Sequence, residues 1–144
     1  MSELVLAARD AEDLEILSAK LQDAVAVVGD FAFLRKQHRF IGLFNRFKWE
    51  AGQKTNIRIR SGLHFDGVLS VQCNNLRQGA PDAVVELLAI RFTPHVDMDP
   101  AGTVELVFAG GGAIRLDVEC LEAALSDGGG EWAARGRPSH GVNA

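Results

Sequence analysis

The chain has 144 residues, 47% of them hydrophobic and 24% charged, which suits one domain with a proper core and excludes disorder over most of the length. No apolar run approaches the roughly 18–20 residues that cross a bilayer. The net charge is −4 but unevenly spread: residues 35–60 carry eight Lys/Arg against the single acid Glu50, a local +7, while the other seven basic and 18 acidic residues give −11.

The start, "MSELVLAARDAEDLE", turns acidic at once and lacks both a basic n-region and an Arg-rich transit pattern, so a cytoplasmic location is expected. Within it "ELVLAA" (3–8) reads as a short strand. Asp10 stands where an N-cap should, with Glu12 and Asp13 in the first turn. Leu14, Leu17, Leu21 and Ala24 recur at helical spacing, which predicts an amphipathic helix over 11–23. After Asp23 the period becomes two. "VAVVGDFAFL" (25–34) is a strand broken or bulged at Gly29-Asp30, and "RKQH" (35–38) is a turn. The next strand runs from Arg39 to Glu50; its first half, "RFIGLF", is apolar on both faces, while in its second half Phe47 and Trp49 alternate with Arg46, Lys48 and Glu50.

From Ile57 to Cys73 the apolar residues fall on odd positions, over seventeen residues, against a usual strand of about 5–6. Gly62 and Gly67 are expected to bend this strand or divide it. "NNLRQGAPD" (74–82) is a loop, and "AVVELLAIRF" (83–92) is open between helix and strand. After the loop "PHVDMDPAG", the segments "TVELVF" and "AIRLDVE" form a hairpin through Ala109–Gly112, with Val104, Leu106 and Phe108 facing Val118, Leu116 and Ile114 on one buried face. "CLEAALSD" (120–127) is expected to be a short helix. The Gly-rich remainder, 128–144, has little to bury except Trp132 and reads as a loose tail on a single domain spanning 1–127. The expected fold class is therefore α+β: a mostly antiparallel, curved or partly open sheet of about seven strands, with one N-terminal and one C-terminal helix, in the manner of the pleckstrin-homology superfold. That superfold does not transfer function.

Motifs for chemistry are sparse. "IRSGLH" around Ser61 is no G-x-S-x-G elbow, and "FAGGGAIRL" lies between strands rather than opening a helix. Cys73 and Cys120 belong to no C-x-x-C pair and read as small buried hydrophobes, not as a disulfide or metal ligands. No metal or cofactor is expected. His64 and Asp66 share a strand face and could serve as a general base pair, or be merely a polar pair on the outside of a sheet. His95, Asp97 and Asp99 could gather round a cation but lack the spacing of a calcium loop. Glu105, Asp117 and Glu119 line the outer side of the hairpin.

The basic strip carries the most. A hairpin pairing residues whose numbers sum to about 106 sets Arg46 opposite Arg60 and Lys48 opposite Arg58, with Phe47 and Ile59 inward. Arg46, Lys48, Arg58 and Arg60 would then form one exposed basic face. Like charges opposite one another are mildly destabilising, so such a face points to an anionic partner. The net acidity and the inward aromatics disfavour nucleic acid relative to an acidic protein partner or self-association, and a merely solvated face is the other reading of the same four residues.

The strings "LQDAV", "NRFKWE", "GLHFDGVLSV", "ELLAIRF" and "FAGGGAIRLDVECLEAALSD", followed by "RPSH", resemble a bacterial family catalogued as domain of unknown function 2948. The likeness covers the chain to about residue 140. It implies a small stand-alone bacterial protein with no established activity, cofactor or catalytic residue. Residues and resemblance together lead to the expectation of a non-catalytic binding or assembly module, with no membrane association. Its alternatives are an enzyme centred on His64 and Asp66, and a nucleic-acid-binding protein.

Overall fold

The computed structural model describes residues 5–47, 58–77 and 79–128. Its elements are β1 (Val5–Ala8), α1 (Ala11–Leu21), β2 (Val25–Val27), β3 (Phe31–Leu34), β4 (Arg39–Phe47), β5 (Arg58–Phe65), β6 (Val68–Asn74), β7 (Val84–Pro94), β8 (Gly102–Phe108), β9 (Ala113–Val118) and β10 (Ala123–Asp127). They form one open antiparallel sheet in the order β1-β10-β5-β4-β2-β7-β8-β9-β6, with β3 alongside β4. This makes ten strands rather than about seven, and one helix rather than two, among the described residues. The connection 51–56 and the proposed tail, with Trp132, lie outside the described residues.

Helix α1 starts as its sequence dictates. Asp10 Oδ1 accepts from the Asp13 N–H at 2.8 Å, and Asp13 reaches back to the Arg9 N–H at 3.2 Å, satisfying amides that a helix start leaves open. Leu14, Leu17 and Leu21 are buried against β7, β1 and β4, each burial contributing about 1.5–3 kcal/mol. The strand reading of 25–34 is broken as expected, by a 3-10 turn at Val28–Asp30. Residues 35–37 make a second 3-10 turn.

The β8–β9 hairpin buries Val104, Leu106, Phe108, Ile114, Leu116 and Val118 on one face, as expected. Its register differs by two residues, Val104 lying opposite Leu116 and Leu106 opposite Ile114. A shift of two preserves the face.

The segment 57–73 divides at Gly67, whose φ of +69° is a left-handed conformation open to glycine; Gly62 stays inside β5. At this corner β5 hands over to β6 while β9 hands over to β10, and the partners travel together. Phe65 pairs with Ala123 before the corner and Val68 pairs with Val118 after it. The Gly67 carbonyl accepts from Glu119 N–H, and the Glu122 carbonyl from Asp66 N–H, both at 2.9 Å.

One open reading and one expected helix both end as strands. Residues 84–94 form β7, paired with β2 and β8. The helix expected over 120–127 is β10. Leu, Glu and Ala favour helix locally, but Leu121, Ala123, Leu125 and Asp127 are all buried at a period of two, and strand partners on both sides override the propensity. Among the described residues the expected terminal helix is therefore a strand paired on both sides.

Phe31 on β3 bridges β4 and β8, which are separated by β2 and β7 in the sheet. Its ring stacks on Phe40 at 6.0 Å and meets Phe44 and Phe108 edge-on at 5.5 and 5.9 Å. The space for it comes from Gly42, where an added Cβ would lie 2.8 Å from the Phe31 ring. Among the described residues no helix is long and apolar enough to cross a membrane. Cys73 and Cys120 are half-buried rather than buried, and no disulfide joins them.

Candidate functional site

Strands β4 and β5 pair with residue numbers summing to 105, so that Asn45 faces Arg60, Arg46 faces Ile59 and Phe47 faces Arg58. The expected sum was 106, and that single residue turns β4 over relative to β5. The phase of β4 is fixed by Phe40 and Phe44, which are buried at 3% and 1% exposure. Arg46, two residues beyond Phe44, inherits the inward direction. The exposed four-cation face is therefore corrected: Arg46 is a core residue, and Lys48 lies outside the described residues.

Arg46 is 0% exposed and binds Asp127 side-on, Nε to Oδ1 at 2.9 Å and Nη2 to Oδ2 at 2.8 Å. Ser61, also buried, donates to Asp127 Oδ1 at 2.7 Å and accepts from Arg46 Nε at 3.2 Å. Arg46 Nη1 donates to the Phe47 carbonyl at 3.0 Å. These bonds compensate a charge that would be costly to bury alone. The cluster joins β4, β5 and β10 and is committed to structure. Sequence reasoning missed Asp127 and Ser61; the odd-position alternation from Leu121 to Asp127 was the signal available.

The same explanation covers much of the charge polarity. Three cations of the basic strip meet acids from outside it: Arg46 with Asp127, Arg39 with Asp66 at 2.7 Å, and Arg60 with Asp30 at 3.3 Å. On the outer face of β5 remain Arg58 and Arg60. Arg58 is exposed, lies 4.1 Å from the centroid of the Phe47 ring and touches the Asn45 carbonyl at 3.4 Å. Arg60 presents a buried Nε with no hydrogen-bond partner.

His64 and Asp66 do come together, at the corner, 3.6 Å apart. Arg39 holds the other Asp66 oxygen. Burial keeps the His64 pKa below its ordinary value, helped by the Arg39 charge and opposed by Asp66 and Glu122. The imidazole is thus neutral at pH 7. The sign of the pH effect follows: between the ordinary value and the lowered one, the unfolded chain binds a proton that the folded protein does not. Stability should fall as pH drops through about 6.5 and level off below the folded pKa. Urea midpoints measured across that window should show a shallower slope for His64→Gln; equal slopes would clear His64 of this role.

His95 contacts Thr103 at 3.1 Å, and Asp117 accepts from Thr103 and Ser70 at 3.3 and 3.0 Å, forming a polar chain on the open sheet. Asp97 and Asp99 stand exposed in their loop. No group of three or more His, Cys, Asp or Glu side chains that could hold a metal gathers among the described residues. Two grooves of about 340 and 330 Å³ are described, one beside Gln72, Glu105 and Arg115, the other between α1 and β7 at Leu14 and Phe92. Neither is lined by His64 or Asp66.

No curated protein and no solved structure matches the chain. Residues 4–140, nearly its whole length, match a protein family of unknown function, DUF2948, and the chain belongs to that family.

Proposed function

We propose that the protein is a small non-catalytic binding module that contacts an acidic protein partner through Arg58 and Arg60 on the outer face of β5. The observation that carries this reading is the state of these two neighbours: Arg58 is exposed and stacked on Phe47, and Arg60 has an unpartnered Nε. Guanidinium groups held in place lose less entropy when they engage a carboxylate. Nucleic acid fits less well, because the Arg58 guanidinium occupies a face of Phe47 on which a base would stack. The enzyme reading at His64 fits less well too, because Arg39 engages the carboxylate that would orient the imidazole.

Fluorescence anisotropy with a dye-labelled Glu/Asp-rich peptide tests the proposal. Wild type should bind at low ionic strength, with affinity falling as salt rises. Arg58→Ala with Arg60→Ala should weaken binding on the order of tenfold. Absence of binding at low salt, or equal binding by the double variant, would overturn the reading. Tighter binding of labelled single-stranded DNA would transfer it to nucleic acid.

A further inference from the structure

Two of the arginine–aspartate pairs among the described residues, Arg46–Asp127 and Arg60–Asp30, differ in one respect. An arginine offers a carboxylate two parallel N–H groups along its Nε–Nη2 edge. Arg46 spends that edge fully on Asp127, with bonds of 2.9 and 2.8 Å. Arg60 meets Asp30 by a single contact, Nη2 to Oδ2 at 3.3 Å, and its Nε is buried with no partner. An unsatisfied donor on a cation is costly unless something else can use it.

Asp30 closes the 3-10 turn between β2 and β3. The backbone there is anchored, Val28 N–H donating to the Ala83 carbonyl and Gly29 N–H to the Pro81 carbonyl, both at 2.9 Å. Rotation about the Asp30 side-chain bonds would release Arg60 Nη2 without a change in the strands. Arg58, two residues along β5 on the same face, supplies a second cation beside that edge.

We propose that the Arg60 Nε–Nη2 edge is the receptor for a carboxylate of the acidic partner, and that Asp30 occupies it in the unbound protein as an internal stand-in. The inference rests on the binding reading above and adds the atom-level ligand and its gate. A carboxylate is favoured over phosphate because the present occupant is itself a carboxylate, and because Asp127 shows this planar group fitting an arginine edge in the same fold. Binding exchanges one weak internal contact for two charge-assisted bonds.

The same labelled acidic peptide, titrated into the full chain, tests this. Asp30→Asn removes the competing charge and should tighten binding about fivefold, on the scale of one charge-assisted bond. Asp82→Asn makes the same charge change at an exposed position close in sequence to Pro81 and should alter binding less than about twofold. Arg60→Lys keeps the charge but loses the paired edge, and should weaken binding about threefold with an unchanged thermal melt. Equal gains for Asp30→Asn and Asp82→Asn, or wild-type affinity for Arg60→Lys, would overturn the gated edge. If those results came with binding still lost in Arg58→Ala, the binding module itself would stand. No peptide binding by wild type would sink both. Displacement of the peptide by inorganic phosphate at lower concentration than by acetate would overturn the carboxylate assignment.

Discussion

Asp127→Ala should lower the unfolding free energy by about 3–5 kcal/mol, a large share of the 5–15 kcal/mol typical of a domain. The loss comes less from the attraction removed than from what remains. Arg46 is 0% exposed, and without Asp127 its guanidinium keeps its charge in the core after losing the carboxylate on its Nε–Nη2 edge. Asp127→Asn should cost less, because the amide oxygen still accepts one of the two bonds. The double substitution Arg46→Met with Asp127→Leu removes both charges and should recover most of the stability lost in Asp127→Ala. Urea denaturation of wild type, Arg46→Met, Asp127→Leu and the double variant closes the cycle. A loss below about 1 kcal/mol in Asp127→Ala would mean that the pair is solvated, contrary to its burial.

Phe108→Ala should cost about 3–5 kcal/mol, the range for removing a buried aromatic. Phe108 is 1% exposed and stands on β8, while the ring it meets edge-on, Phe31, stands on β3 and also contacts Phe40 and Phe44. The lost volume therefore opens between β8 and the β3–β4 pair. Edge-on aromatic pairs contribute about 0.5–1.5 kcal/mol beyond burial, so Phe31→Ala and Phe108→Ala together should cost less than the sum of their separate effects. Phe108→Leu, which refills most of the space, should cost less than half as much. A fall in the urea midpoint at constant slope would show that stability changed and not the extent of unfolding. A cost under about 1.5 kcal/mol for Phe108→Ala would show that the surrounding side chains collapse into the space.

What could be read from the sequence depended on whether the local pattern also fixed direction. Helix α1 was legible because its cap, charge placement and leucine spacing all agree. The β8–β9 hairpin was legible in its buried face though not in its register, since a two-residue shift leaves every aliphatic side chain inward. Between β4 and β5 the error was one residue, and it exchanged inside and outside. "RFIGLF" is apolar on both faces, so it carries no phase of its own, and the rule that charge lies outward set Arg46 on the wrong side. The partner that makes Arg46 tolerable inside is Asp127, 81 residues away, and no local pattern announces such a pair. Strand β10 was misread for a related reason: its composition favours helix, and its strand partners come from elsewhere in the chain. His64 and Asp66 were expected on one strand face; they do lie close, but Asp66 stands in the bend just past the end of β5, and Arg39, which decides what Asp66 can do, was visible only once the corner was built.

The position of β10 between β1 and β5 also has a bearing on biosynthesis. β1 has β10 as its sheet neighbour, pairing Val5 with Ser126 and Ala8 with Ala123. At translation rates of about 5–20 residues per second, roughly 6–25 s separate the emergence of these two strands. Throughout that interval β1 lacks its neighbour; for the part of it after their own synthesis, β5 lacks one of its two and Arg46 lacks Asp127. Long-range pairings of this kind slow folding and leave strand edges open. The nascent chain is therefore most exposed to mispairing just before residue 123 is added, and the stretch that ends the wait carries the carboxylate that neutralises the core.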